Sequence, residues 1–353
     1  MSKPATAVDP KTTFTPQSLT ESMVKYRTDL MTMPMFAMQA ALAHMAVRTG
    51  IRYQENVHEM SGDFEIGPYD KYKMGNGEIA IKQRTLQTYF GNCIEPIDVN
   101  SLYQTLWGSD ISKGEQLKNV DWVKRVCAYI FAQLGEKIFN EMWTAVRNAS
   151  GTKTHDLFDG FLAIENKEIL SGAMSQENQN FYKLPEGGIS AENAEDVLND
   201  FIWGVGAWKG VHKKLRDARG LKLFMSDRTK HYYEVAYQTN HGALPYNQQF
   251  TKAHLDGKPN IEFVALANVP DDYLLLTARN NILSLWNQRG SDETFLVEKS
   301  LTSHYDVDFI ANLFYGEQYL SVNKEMLAVM KAQPTAPAAS GQGTTEGGGN
   351  QQE

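Results

Sequence analysis

Cysteine is nearly absent from this chain, which has only Cys93 and Cys127 in 353 residues. Two thiols exclude a disulfide framework, and neither lies in a CxxC motif or at metal-ligand spacing from histidine. Long apolar runs are missing too, since the most apolar early stretch, residues 30–47, is shorter than a bilayer span and contains Pro34 and His44. The first residues lack a basic start followed by an apolar run, which excludes a secretory signal. We therefore expect a cytoplasmic protein that does not cross a membrane.

The motifs of common active sites are also absent. The sequence contains no GxxxxGK[ST] phosphate loop, no HExxH zinc motif and no GxSxG nucleophile elbow. Gly204, Gly206 and Gly210 are the nearest approach to a dinucleotide-binding motif. They fall inside an apolar stretch with a helical pattern, so we expect them to permit close backbone packing instead. The sequence predicts no enzyme activity, no cofactor and no metal; an enzyme whose site forms only on folding is the alternative.

Positive charge is in deficit, with 34 Lys and Arg against 42 Asp and Glu. A net charge of -8 argues against a protein that grips nucleic acid, because phosphate binding relies on clustered cations. The basic cluster at residues 212–222 is interpreted as a solvated helix end. Residues 333–353 contain no large apolar side chain, and we expect a disordered tail over residues 331–353.

Methionine is abundant near the start of the chain. Residues 18–48 have a helical pattern that Pro34 must break or kink. The methionines of this arm are Met31, Met33, Met35, Met38 and Met45. Methionine at this density is typical of core packing, and contact with another chain is the alternative that the terminal position keeps open. Met31 and Met35 are therefore candidate subunit contacts.

Residues 51–100 read as two extended runs around a turn-rich polar tip at residues 67–77. In the returning run, apolar and polar side chains occur on both faces, so neither face is thoroughly apolar. The stability of an isolated two-stranded hairpin in water is marginal. We expect another surface to cover it. The tip side chains proposed as subunit contacts are Tyr69, Lys71, Tyr72, Lys73 and Met74. Binding to bases or phosphates, or a plain solvated tip, are the alternatives.

The strongest helix begins after Ser112, which has capping-box spacing to Glu115, and runs to about Asn148. Its apolar side chains recur every three or four residues and form one stripe. A helix of this length reaches on the order of 50 Å, which is longer than a compact domain of this size needs. We interpret it as a spine for the fold.

Residues 154–162 read as a turn that feeds a short apolar strand. Asp156 and Asp159 in this turn are close enough in sequence to act as an acid and a base. Their neighbours are typical of turns, which favours capping and turn roles. Asp156, Phe158 and Asp159 also complete the set of candidate subunit contacts.

The second half of the chain mixes helices and strands. A helix after Ser190 carries apolar side chains at helical spacing as far as Leu215, and a buried strand follows at residues 221–225. The same order, helix then strand, recurs loosely through residues 232–239. Further extended runs lie at residues 261–269, 273–278 and 295–323. These patterns predict an α+β body of mixed sheets with the long helix laid across one of them.

Six sequence stretches connect this layout to a known family: IAIK at residues 79–82, YFGNCIEPI at 89–97, the end of the spine at 154–162, VALANVP at 264–270, NNIL at 280–283 and FIANLFYG at 309–316. Together with the order of the elements, they resemble the major capsid proteins of tailed bacteriophages, the Hong Kong 97 fold, over residues 18–330. The domains that this resemblance implies are an N-terminal arm (1–50), an extended loop (51–96), a peripheral domain with the spine helix (97–164), an axial domain (165–302) and a return to the peripheral domain (303–330).

The resemblance implies a structural protein that self-assembles as hexamers and pentamers into the icosahedral capsid of a virion of the Caudoviricetes. Assembly would take place in the host cytoplasm, around DNA that is not bound sequence-specifically. The segment before Ser18 is too short for a scaffolding domain, so a separate scaffolding protein and a portal are expected, with decoration proteins as further partners. Some relatives crosslink a loop lysine to an asparagine; Lys71 or Lys73 fits the lysine, and no motif identifies its partner. An encapsulin nanocompartment shell, which has the same fold, is the alternative.

Overall fold

The computed structural model describes most of the chain between residues 38 and 334. The described ranges are residues 38–62, 67–69, 71, 79–98, 121–206, 209–242, 253–286, 295–301 and 306–334. Their helices are α1 (Gln39–Leu42), α2 (Asp121–Glu141), α3 (Phe161–Leu170), α4 (Ala194–Trp203), α5 (Lys213–Arg216) and α6 (Asp227–His241), with 3-10 turns at Thr154–Asp156 and Arg279–Asn281. Their strands are β1 (Ala46–Thr49), β2 (Gln54–Gly62), β3 (Ile79–Gln87), β4 (Tyr89–Asp98), β5 (Phe181–Lys183), β6 (Leu221–Ser226), β7 (His254–Leu255), β8 (Lys258–Leu266), β9 (Leu274–Ala278), β10 (Ile282–Trp286), β11 (Phe295–Lys299), β12 (Asp306–Tyr319) and β13 (Leu327–Lys331).

The long strand β12 organises a five-stranded sheet. Strand β4 pairs with it antiparallel through ten residue pairs, and β10 and β11 share its other edge. Strand β1 adds in parallel beside β10. Pro96 lies in β4, at the edge of this sheet, where a residue without an N–H can be tolerated.

The second sheet has six strands in the order β5-β13-β9-β6-β8-β7. Its central strands are buried along nearly their whole length, as expected for apolar runs such as Leu274–Ala278 that are covered on both faces. Helices α4 and α6 pack against each other, and buried side chains of both join this sheet in one core cluster.

A core of aromatic side chains joins the two sheets. Trp143, just past the end of α2, packs its ring 5.0 Å from Phe161, 5.9 Å from Phe224 of β6 and 5.4 Å from Tyr273. Phe161 in turn lies 5.1 Å from Tyr319, the last residue of β12. The same buried cluster therefore includes residues of α3 and of both sheets.

A buried ion pair lies in this junction. Glu165 of α3 is fully buried, and Lys331 of β13 donates to its carboxylate at 2.9 Å. The hydroxyls of Tyr273 and Tyr319 donate to the other carboxylate oxygen. Because a buried charge is costly without partners, these bonds fix α3 against both sheets.

The structure agrees with several sequence predictions and corrects others. The α+β class is confirmed, and strands occur at β6, β8, β9 and β12 where extended runs were predicted. The strand predicted at the end of residues 154–162 is wrong, because Phe161 begins helix α3. Gly160 makes this start possible, since a Cβ on it would lie 2.7 Å from the Met142 carbonyl oxygen.

The strand predicted within residues 232–239 is also wrong. Helix α6 covers this stretch, and the Ser226 hydroxyl caps it by accepting a bond from the Thr229 N–H. Tyr233 and Ala236 are buried three residues apart, which is helical spacing.

Two predicted helices extend too far at their C-terminal ends. Helix α4 ends at Trp203, because Gly204 adopts φ +81°, and Leu215 belongs to the separate helix α5. The close packing predicted for the glycines occurs at Gly210, where a Cβ would lie 2.4 Å from the Gly204 nitrogen. Helix α2 ends at Glu141, seven residues before Asn148. Its described 21 residues span about 30 Å, and its predicted start lies outside the described residues.

Strand pairing also bears on the expected domain boundaries. Residues 89–98 pair with β12, so the hairpin ends near Thr88 and not at residue 96. Strand β10 belongs to the five-stranded sheet and β13 to the six-stranded one, which crosses the expected division at residue 302. Lys331 is a buried strand residue and not the start of a tail.

Met38 and Met45 are fully buried in the chain's own core, as methionine-rich core packing predicts.

Candidate subunit interface

Strands β2 and β3 pair antiparallel and form a hairpin with two unlike faces. Directly paired residues share a face. The outer face consists of the pairs Gln54 with Gln87, Asn56 with Thr85, His58 with Gln83, Met60 with Ile81, and Gly62 with Ile79. The inner face consists of the pairs Glu55 with Leu86, Val57 with Arg84, Glu59 with Lys82, and Ser61 with Ala80.

The base of the hairpin is anchored in the body of the same chain. Leu86 is fully buried in a small cluster with Ile51, Leu283 and Leu285. The Thr88 N–H donates to the Tyr53 carbonyl at 2.9 Å and closes the base. Strand β12 passes close by at Gly316, where a Cβ would lie 2.3 Å from the Gln87 carbonyl oxygen.

The outer face carries an apolar patch at its distal end. Met60 is 72% exposed, Ile79 is 61% exposed and Ile81 is 60% exposed. These three side chains are neighbours on one face, since Met60 pairs with Ile81 and Ile79 follows two residues away. Grouped apolar side chains on a surface mark a contact site more strongly than scattered ones do.

Sequence reasoning did not single out these three residues. The alternation of the returning run distributes apolar residues over both faces, so neither face looked apolar. The signal that was missing is the pairing register, because only the register brings Met60 beside Ile81.

Of the tip residues predicted as contacts, two are described. Tyr69 is 94% exposed, and Lys71 is also exposed. The remaining predicted contacts of the arm and tip, Met31, Met35, Tyr72, Lys73 and Met74, lie outside the described residues. For these residues the interface remains a prediction.

The other predicted contacts are engaged within the chain. Phe158 is fully buried, with its ring 4.7 Å from that of Tyr315, so it offers no surface to a second molecule and is dropped from the interface. The Asp159 carboxylate accepts from Lys167 at 2.6 Å and from the Arg147 N–H at 3.2 Å.

The Asp156 carboxylate accepts from the backbone N–H of Lys153 at 3.1 Å and caps the 3-10 turn that begins at Thr154. It therefore serves a different hydrogen-bond network from that of Asp159. The two carboxylates do not share a hydrogen-bond partner; Asp156 caps the turn, whereas Asp159 connects the turn to Arg147 and Lys167.

Two open concave surfaces lie beside these elements. One is a polar cleft of about 810 Å³ between the inner face of the hairpin and the body. The other, of about 590 Å³, lies between α2 and β4, where His155 Nδ1 and a Glu141 carboxylate oxygen are hydrogen-bonded at 2.7 Å. No three His, Cys, Asp or Glu side chains of the described residues come together as a metal site would require. Within those residues, no helix combines the length and apolar character needed to span a bilayer.

Neither a protein-family model nor a curated protein matches the sequence. Solved structures do match the fold. The capsid of an empty GTA particle, computed with C5 symmetry, has a TM-score of 0.53 and 14% identity over 84% of this chain and 90% of that one. The chain has the Hong Kong 97 capsid fold.

A native GTA particle capsid matches this capsid fold similarly, with a TM-score of 0.52 and 13% identity over 84% of this chain and 90% of that one. The capsid asymmetric unit of cyanophage A-1(L) covers 83% of this chain and 93% of that one, at 13% identity and a TM-score of 0.49. At 13–14% identity, the likeness to the two GTA capsids is one of backbone fold. The two GTA capsid structures confirm the α+β, Hong Kong 97-like capsid fold expected from the sequence resemblance.

Proposed function

We propose that this chain is the major capsid protein of a tailed bacteriophage and that copies of it assemble into an icosahedral shell around the genome. The observation that carries the proposal is the capsid fold combined with a hairpin whose distal apolar patch, Met60, Ile79 and Ile81, is exposed in the single chain. A surface of this kind gains stability when a second copy covers it.

The hairpin supplies the kind of contact that builds a closed ring. Its outer face meets a different surface on the neighbouring copy, and such heterologous contacts repeat around a rotation axis until they close. Burying one large aliphatic side chain contributes about 1.5–3 kcal/mol, and the contribution recurs in every subunit of a hexamer or pentamer. The five-stranded sheet with α2 would form the peripheral domain of the subunit, and the six-stranded sheet would form the axial domain.

The partners follow from this role. A separate scaffolding protein and a portal would guide assembly in the host cytoplasm, and the product would be the capsid of the virion. A net charge of -8 suits a container, because a wall that gripped DNA would hinder its movement into and out of the shell. Neither an enzymatic activity nor a cofactor enters the proposal.

Electron microscopy of the purified chain tests the proposal, with residues 67–77 deleted in a parallel variant. We expect the parent to form closed particles, rings or sheets. The deletion variant should stay folded and soluble and should fail to assemble, because the tip lies beyond the anchored base. A parent that remains a monomer under all conditions, with or without a candidate scaffold, would overturn the proposal. Loss of folding in the deletion variant would show that the tip is internal structure.

A further inference from the structure

The hairpin touches its own body in two zones of different chemistry. At the base, Leu86 is buried among apolar side chains and anchors the hairpin. Farther out, the inner face crosses the 810 Å³ cleft and meets the body through polar side chains. The first zone is held by buried apolar side chains, whereas the contacts described across the second zone are hydrogen bonds and an ion pair.

One bridge across the cleft comes from each strand. Arg84 of β3 donates to the Glu168 carboxylate at 2.7 Å and to the Gln318 side-chain oxygen at 3.2 Å. Glu59 of β2 accepts from the Ser321 hydroxyl at 2.7 Å, and the Asn323 amide lies 3.5 Å from its other oxygen. The same body segment, residues 318–323, therefore holds both strands.

These bridges are weak by nature. The Arg84 and Glu168 side chains are only 17% and 24% exposed, so the cost of removing both charges from water on docking offsets much of their attraction. The buried Nε of Arg84 has no protein acceptor among the described residues, so the docked position leaves one donor unsatisfied. Lys82, Asn178 and Lys324 also line the cleft, and water can solvate all of them when it widens.

The base has the features of a pivot. Tyr53, where the chain enters the hairpin, adopts φ +64°, a conformation that is strained for a residue other than glycine. Gly50 before it has φ +92°. A change of backbone angle at these positions would alter the direction in which β2 leaves the body, whereas Leu86 and Val57 hold the base against one apolar cluster.

We propose that Arg84 and Glu59 form a latch that docks the hairpin on its own body, and that release of this latch frees the inner face for a second copy of the chain. The closed latch is a property of the single chain. The role of the open state rests on the proposed function, because only assembly gives the freed face a partner.

The position of the hairpin is measured directly by pulsed electron spin resonance on the unassembled full chain. Spin labels are placed at Gln83→Cys and Glu177→Cys, exposed positions on the hairpin and beside the cleft, after replacement of Cys93 and Cys127 by serine. The latch variant is Arg84→Gln with Glu59→Gln. The matched control is Arg52→Gln, which removes an exposed arginine outside the latch. Arg84→Glu with Glu168→Arg rebuilds the ion pair in reverse.

We expect one narrow distance distribution in the parent, the control and the reversed pair, and a longer, broader one in the latch variant. Static light scattering should give a critical concentration for assembly about threefold to tenfold lower for the latch variant, since two weak bridges no longer have to break. Equal distances in the latch variant and the control would overturn the latch. A higher critical concentration would overturn its release as a step of assembly. If no chain assembles, including the parent, the proposed function fails while the distances still test the latch.

Discussion

Glu317 is a carboxyl group inside the core, and no cation of the described residues lies beside it. It is 3% exposed, and the Tyr315 hydroxyl donates to one of its oxygens, with Ser284 more distant at 3.4 Å. Its other oxygen has no hydrogen-bond partner among the described residues. Burial raises the pKa of Glu317 well above its ordinary value of 4.5, because the charged form cannot be solvated there.

This pKa predicts a pH dependence of stability with a definite sign. Above pH 4.5 the unfolded chain releases the proton and the folded chain keeps it, so folding becomes less favourable as pH rises towards the folded pKa. Glu317→Gln removes this titration. We expect the variant to gain stability relative to the parent by up to about 1.4 kcal/mol per pH unit, seen in urea unfolding between about pH 5 and pH 8.

The control for this experiment is Glu325→Gln. A hydrogen bond from Lys214 lowers the pKa of Glu325, so its stabilising contribution is present above pH 4.5 and is lost as pH falls. The free energy of unfolding of this variant should not increase relative to that of the parent as pH rises. If the free energies of unfolding of Glu317→Gln and the parent changed equally with pH, Glu317 would be charged in the folded chain.

At the scale of elements, the sequence predicted strands better than it predicted helix limits. Alternation and apolar runs found β6, β8 and β9, because those signals are local. Helix α3 was missed because its opening apolar run is short and its start depends on Gly160 fitting against the Met142 carbonyl, a contact between different segments. The end of α4 depends on the backbone angle of Gly204, although glycine is common both inside and after helices in sequence patterns.

The candidate interface was predictable only in outline. A hairpin that needs a cover followed from its length and its mixed faces, whereas the identity of the contact residues depends on the register between β2 and β3. Phe158 was named as a candidate subunit contact from its place in the turn at residues 154–162, and packing against Tyr315 buries its ring within the single chain.

The outer face of the hairpin gives a prediction at this scale. Ile81→Lys places a charge within the distal apolar patch, and we expect assembly to require at least about tenfold more protein, because a buried unpaired charge opposes the contact. Unfolding stability should change by less than about 0.5 kcal/mol, since Ile81 is 60% exposed. Sedimentation of assembled particles and urea unfolding measure the two effects.

Leu170→Lys is the matched control, because Leu170 is an exposed aliphatic residue of α3, 52% exposed. Equal loss of assembly in both variants would mean that any surface lysine is harmful. Unimpaired assembly of Ile81→Lys would remove the hairpin's outer face from the interface.

The whole molecule depends on a junction that no single element contains. The two sheets share the aromatic core around Trp143, and the buried pair of Glu165 and Lys331 ties α3 to β13. Residues far apart in sequence form this junction, so no local sequence pattern predicts it. The assignment of Lys331 to a disordered tail failed for this reason, since the polar composition that follows it gives no sign of the buried partner.

This junction predicts that both sheets lose stability together. Lys331→Met leaves the Glu165 carboxylate buried without its cation, which costs about 3–5 kcal/mol. Hydrogen exchange of the unassembled chain should then accelerate in β10 of the five-stranded sheet as well as in β9 of the six-stranded sheet. Lys183→Met is the control, because Lys183 pairs in register with Lys331 on β5 and is exposed. Acceleration limited to β9, or an equal effect of the control, would mean that the ion pair supports one sheet alone and that the two sheets unfold as separate units.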